Sequence, residues 1–249
     1  MFLTLCSQNG CGHLPLHSSS KTHYIAERVN PRCYHWSIVS SIDMEQNKIY
    51  NNIVMFTFFG KGHWSEKAQK FVPSTKPMKN VDIQWVGDYV LSERAKPQTE
   101  ELRQIMTTAT EQELRDYKLT QFDAVAGAGI FSYGNAAGLT IRSPYIVIDV
   151  DDLESTEEAR EIQQTLIADK NIETALCFVS PKGLGCKWWI EVPEWCQNMT
   201  FAEQYAALSR YIGYEYGILA DSTGSNVNRL CFLPYDPLCY INPKYSTNK

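Results

Sequence analysis

The sequence of 249 residues lacks an apolar run long enough to cross a bilayer; the longest candidate, Ile53-Val-Met-Phe-Thr-Phe-Phe59, is the length of a strand. No membrane partner is expected. The opening Met1-Phe-Leu-Thr-Leu-Cys6 has no charged leader and soon turns polar, which makes it a poor secretory signal and points to a cytoplasmic protein. There is no excess of positive charge either. Lys and Arg number 23 against 28 Asp and Glu, a net charge of −5, so overall charge does not carry binding to a polyanion, although a local basic groove is compatible with it. Internal repeats and low-complexity tracts are missing. The eight cysteines show no framework spacing: Cys177, Cys186, Cys196, Cys231 and Cys239 lie in or beside apolar runs and read as reduced core residues. What is present is ordinary globular composition, 44% hydrophobic with 12% aromatic residues, which disfavours disorder and coiled coil.

The first 43 residues read as an irregular extension of Ser, Asn, His and Cys, with Met44 opening a more regular sequence. Cys6, Cys11, His13, Cys33 and His35 are the ligand types zinc takes, but their spacing fits no standard finger. Residues 44–140 form an α/β accessory part. Tyr50–Phe59 is β-rich and Val81–Val90 is strand-like. A helical segment follows Thr99, with Leu102, Ile105 and Met106 on one side, and Thr110-Glu-Gln-Glu113 has the form of a capping box before Leu114. Ala124–Gly138, rich in Gly and Ala, reads as a loop or irregular strand.

Residues 141–249 are more legible. Tyr145–Asp151 is a strand, Ser155–Glu158 starts a helix carrying Ala159, Ile162 and Leu166, and Thr174–Ser180 is a second strand. Pro181-Lys-Gly-Leu-Gly185 is a turn into a third strand, Cys186–Val192; Thr200–Glu203 caps a helix, and Asn228–Leu233 is a fourth strand stopped by Pro234. The order β-α-β-β-α-β predicts an α+β fold with a ferredoxin-like or RRM-like palm. Crossover handedness then gathers the end of the first strand, the 180–187 hairpin and the approach to the fourth strand at one end of the sheet. Strand alternation puts Ile146, Ile148 and Val150 under the helices and leaves Asp149, Asp151, Lys187 and Trp189 on an open face, with Trp189 a candidate for stacking on bases.

Asp149 and Asp151, joined by Asp221, are hard oxygen ligands of the kind Mg²⁺ or Mn²⁺ prefers; two such ions can activate an attacking oxygen and steady a leaving group. Ser180, Lys182, Gly183, Gly185 and Lys187 frame a turn suited to phosphate, the glycines by letting backbone N–H groups approach and the lysines by charge. Arg229 can grip a phosphate bidentately. The chemistry implied is metal-dependent nucleotidyl transfer.

Tyr145–Asp151, Phe178–Lys187 and Asp221–Asp236 together resemble the primase-like N-terminal domain of virulence-associated E proteins, and through it the archaeo-eukaryotic primase and primase-polymerase superfamily. The resemblance implies a primase or primer-extending polymerase for a mobile element or phage, with Asp149, Asp151 and Asp221 as metal-binding acids. Its partners would be a nucleoside triphosphate, a single-stranded DNA template and, since the sequence contains no nucleoside-triphosphate P-loop, a separate helicase. Lys187 departs from the superfamily pattern, which carries a histidine there; lysine binds phosphate but does not titrate near neutrality. That departure supports the alternative, a catalytically silent nucleotide- or nucleic-acid-binding module on the same fold. A rolling-circle replication initiator is rejected, because its His-x-His metal site needs a late histidine and all five lie at or before His63.

Overall fold

The computed structural model describes residues 55–245 in full and, before them, the backbone of four strands: β1 (Phe2–Ser7), β2 (Gly10–Pro15), β3 (His23–Asn30) and β4 (Cys33–Val39). The chain divides into two compact units, Met1–Asn52 and Ile53–Lys249. In the first, β1 pairs with β2 and β3 with β4, both antiparallel, where the sequence predicts an irregular extension. The side chains of the cysteine and histidine group considered for zinc lie outside the described residues.

The second unit is mixed α and β, with antiparallel sheets and five α-helices among the described residues. Its first sheet takes β12 (Tyr145–Val150), β14 (Cys186–Glu191), β13 (Thr174–Val179) and β16 (Tyr240–Ile241), in that order. The alternation expected along β12 and β14 holds. Ile146, Ile148, Val150, Trp188 and Ile190 lie in one buried cluster with the helices α4 (Thr156–Ile167) and α5 (Phe201–Tyr216). Ser155 caps α4 by accepting from Glu158 N–H, and Thr200 and Glu203 close the predicted capping box on α5.

The opposite face is not open. A second sheet, β15 (Leu230–Phe232), β9 (Ala124–Ala126), β5 (Phe56–Phe59) and β8 (Pro77–Val81), covers it together with the helix α1 (Ile83–Leu91). Tyr145 and Trp189 are therefore buried between the sheets, each edge-on to the ring of Phe56, and Trp189 is no surface for stacking bases. Gly127 has the same cause: a side chain there would run into Val147 and Trp189.

Two expectations are corrected here. The fourth strand of the predicted palm, β15, does not extend β12; it pairs with β9, so only three of the four strands have the ferredoxin-like order. β15 is three residues long, and its Leu230 and Phe232 pack into clusters around Phe59 and Phe122 on the side away from the first sheet. The free edge of β12 receives one ladder bond, from Asp221 N–H to the Asp149 carbonyl at 2.8 Å. Second, the predicted strand Val81–Val90 is helical from Ile83 on, only Val81 belonging to β8. Asp82 accepts from Trp85 N–H and caps α1, and Ile83, Val86 and Val90 recur at helical spacing as its buried stripe.

Between these sheets and the surface lie α2 (Lys96–Ile105) and α3 (Glu111–Gln121), joined through Leu102, Leu114 and Phe122. The predicted capping box at Thr110 and Glu113 starts α3. Two small hairpins complete the unit: β6 (His63–Ser65) with β7 (Lys70–Val72), and β10 (Gly129–Phe131) with β11 (Leu139–Arg142). The second sheet draws β9 and β15 from either side of residue 140. No helix among the described residues is long and apolar enough to cross a membrane.

A candidate metal and phosphate cleft

Asp149 and Asp151 reach the end of β12 on one face by strand alternation. Asp221 joins them because its own N–H is bonded to the Asp149 carbonyl and its carbonyl accepts from Tyr205 of α5 at 2.6 Å. The three carboxylates each present an oxygen within 4.8 Å of the others. Asp149 and Asp151 line a cleft of about 1040 Å³, whose walls come from α3, the 180–187 turn and the segment 226–232, and the Asp221 carboxylate stands beside them.

Lys187 is the central cation. It stands directly opposite Asp149 in the β12–β14 ladder, and its ammonium pairs with Asp149 Oδ1 and lies 3.4 Å from Asp151 Oδ1. Asp149 and Lys187 are both buried, 7% and 8% exposed, so each charge depends on the other. Burial lowers the Lys187 ammonium to about 8, since the charged form loses its hydration. Burial raises the Asp151 carboxyl; Lys118 pulls it back down and Asp221 pushes it further up. Burial would raise Asp221 too, but hydrogen bonds from the Thr223 hydroxyl and N–H, with the charge of Arg229 at 3.0 Å, hold it below the usual carboxylate range.

The turn residues divide by role. Ser180, Lys182 and Lys187 line the cleft, and Lys182 pairs with Glu111 across it at 3.0 Å. Gly183 and Gly185 do not line it. Gly183 N–H donates to Ser180 within the turn, and its φ of +83° is the left-handed conformation that glycine tolerates. A Cβ on Gly185 would collide with the Val150 carbonyl, so this glycine lets the turn lie flat against the end of β12. Arg103 of α2 braces the turn from outside, donating to the Pro181 carbonyl at 3.2 Å.

The sequence reading missed two cleft cations, Arg115 and Lys118. Both belong to α3, where Glu111, Arg115 and Lys118 follow at i, i+4 and i+7 on one face; the capping box at Thr110 already announced that helix, and the face was readable from it. Lys118 makes no ion pair among the described residues, and burial, then the charge of Lys182, lowers its ammonium below the usual value.

The donor set fits a divalent ion. Three convergent carboxylates are the ligands Mg²⁺ or Mn²⁺ takes, and a cation, the Lys187 ammonium, already stands between two of them.

Residues 118–241, just under half of the chain, match the family model described as BT4734-like, N-terminal domain. The match spans all three acids, the turn and Arg229, and begins at Lys118. It corrects the expectation drawn from virulence-associated E proteins and the primase superfamily: the matching family is a different one, and no primase family matches. No curated protein and no solved structure matches the chain.

Proposed function

We propose that the cleft catalyses metal-dependent nucleotidyl transfer from a nucleoside triphosphate to a growing strand on a single-stranded template. The observation that carries this reading is the meeting of Asp149, Asp151 and Asp221, the first two of them lining a cleft whose walls hold Arg115, Lys118, Lys182 and Arg229. A bound Mg²⁺ or Mn²⁺ would neutralise phosphate charge and make the attacking hydroxyl more acidic. The chain's own residues do the rest. The three acids would hold the ion, Lys118 and Lys182 would take the β- and γ-phosphates, and Arg229 would orient the α-phosphate. The hydroxyl oxygen bonds to the α-phosphorus, the bond to the β-phosphate oxygen breaks, pyrophosphate leaves, and the hydroxyl proton passes to solvent. Lys187 lines the same cleft and would be free to pair with a phosphate if a divalent ion took its place beside the carboxylates.

The test is incorporation of labelled nucleotide on a primed single-stranded template with Mg²⁺ or Mn²⁺, comparing wild type with Asp151→Asn and Asp221→Asn. Both acids are only partly buried, so these variants test chemistry more cleanly than removal of Asp149, which would strand Lys187. Loss of incorporation in both is expected; unchanged incorporation in either sinks the reading. A second reading, a nucleotide-binding module without catalysis, is favoured by one observation: Lys187 already neutralises Asp149 and Asp151. Nucleotide binding that needs no divalent ion, with no incorporation under any condition, would select it.

A further inference from the structure

Residues 61–79 are far more basic than the chain as a whole. They carry Lys61, Lys67, Lys70, Lys76 and Lys79 against the single acid Glu66, a net charge of +4 in a chain whose net charge is −5. All five lysines are exposed. Lys79 lies over the ring of Trp85 at 4.0 Å, and the other four make no ion pair among the described residues. The same segment holds the β6–β7 hairpin, in which Trp64 and Phe71 face each other across the strands with ring centroids 5.2 Å apart. Those rings are 44% and 36% exposed, although no function of the fold requires two large aromatics in solvent.

The hairpin is joined to the cleft. Gly62 N–H donates to the Leu119 carbonyl at the end of α3 at 2.7 Å, Gly134 N–H donates to the Thr75 carbonyl at 2.9 Å, and Pro73 and Ser74 line the cleft itself. Pro73 and Ser74, which line the cleft with Lys118, are flanked in the chain by Lys70 and Phe71 on one side and Lys76 on the other. Lysines track a phosphate backbone without reading sequence, and exposed rings stack on unpaired bases, which a duplex keeps covered.

We infer that the 61–79 segment is a binding arm for single-stranded nucleic acid, with Trp64 and Phe71 stacking on bases and Lys61, Lys67, Lys70 and Lys76 on the backbone. It uses the cleft reading above only to say why a strand arrives there. The arm lies outside the residues matched by the family model, so nothing in that likeness assigns it a role.

The experiment is fluorescence anisotropy of a labelled oligo-dT and of a duplex of the same length, on the full chain, in EDTA and without nucleotide. Trp64→Ala with Phe71→Ala should weaken single-strand binding about tenfold or more and affect the duplex less. Lys67→Gln with Lys70→Gln should lower the slope of log K against log salt by about 1.4, at about 0.7 per phosphate contact on a single strand. Unaltered circular dichroism and melting would confirm that both variants are folded. Oligonucleotide affinities equal to wild type in both would overturn the inference. So would loss of binding to phosphatidylserine vesicles with oligonucleotide binding intact, which would assign the arm to a membrane surface. The two readings fail separately: without nucleotidyl transfer the wild type still binds the oligonucleotide through the arm, and without the arm's role incorporation proceeds at unchanged template KM in the arm variants.

Discussion

Two buried ion pairs flank the same sheet, and they are built to opposite ends. Asp236, wholly buried, accepts two bonds from the Arg160 guanidinium at 2.9 and 2.5 Å, one from Val179 N–H at 2.7 Å and one from Leu238 N–H at 3.0 Å. Its oxygens have nothing left to offer. Among the described residues Asp149 accepts from Lys187 alone, and Asp151 only shares the same ammonium at 3.4 Å. One pair is saturated and closed over by loop and helix; the other leaves carboxylate lone pairs facing a cleft. A saturated buried pair ties elements together, whereas an unsaturated one is a place where a second cation or a phosphate can enter.

That contrast breaks most visibly through stability. Asp236→Ala leaves the Arg160 guanidinium without its carboxylate and two backbone N–H groups without an acceptor, and should cost about 3–5 kcal/mol in urea unfolding. If the variant cannot be produced folded, Arg160→Met with Asp236→Leu removes both charges and should recover part of the loss. A cost below about 1 kcal/mol would mean that Asp236 is no better fixed than the cleft acids.

Asp151→Asn should do the reverse. Incorporation should fall about a hundredfold or more, with unfolding free energy unchanged or slightly raised, because a carboxylate whose charged form is already disfavoured by burial has been replaced by a neutral amide. Equal destabilisation by Asp151→Asn and Asp236→Ala would make the cleft acids structural and end the distinction.

The sequence carried the acids of the cleft but not their pairing. Alternation along Tyr145–Asp151 and Cys186–Val192 placed Asp149, Asp151 and Lys187 on one face, because a period of two is local information. That Asp149 and Lys187 lie directly opposite depends on the register between β12 and β14, which 35 intervening residues separate and no local signal sets. Capping boxes at Thr110 and Thr200 were legible for the same local reason. Misreading β15 had another source. A three-residue strand offers too little pattern to choose between two edges, and the choice was made by Leu230 and Phe232 finding clusters around Phe59 and Phe122. The second sheet, and with it the burial of Trp189, followed from that unread choice. Helix α1 was lost because Val81, Ile83 and Trp85 mimic a strand's alternation over the five residues where Asp82 caps a helix.

On the cleft wall, Lys118→Ala should weaken nucleoside triphosphate binding about tenfold, the loss of one charge-assisted bond to phosphate. It should leave thermal stability unaltered, since this ammonium has no ion pair among the described residues and its burial disfavours its charge. Calorimetric titration with a non-hydrolysable nucleotide reads the first and a melting curve the second. A drop in stability with affinity intact would move Lys118 to the saturated class represented by Arg160.

A third carboxylate shows what saturation looks like without a cation. Asp169, at the end of α4, accepts from Asn171 N–H at 2.7 Å, Ile172 N–H at 2.8 Å, Tyr211 Oη at 2.8 Å and Tyr216 Oη at 2.7 Å. Partial burial would raise its carboxyl, but the Tyr216 hydroxyl, the Ile172 N–H and the other two donors outweigh that and hold it below the usual value. A folded value lowered in this way means that the native state binds the proton less tightly than the unfolded chain does. The stabilisation is therefore complete above the unfolded carboxylate value near 3.9 and is lost as pH falls through the folded one. Asp169→Asn should lower the melting temperature at pH 7 by an amount worth less than about 1 kcal/mol, because solvent reaches the group. The gap between variant and wild type should narrow as the pH is taken below about 4. A gap that stays constant from pH 7 to pH 2 would show that shape rather than charge makes those four bonds, and that a carboxylate can be saturated here without being held ionised.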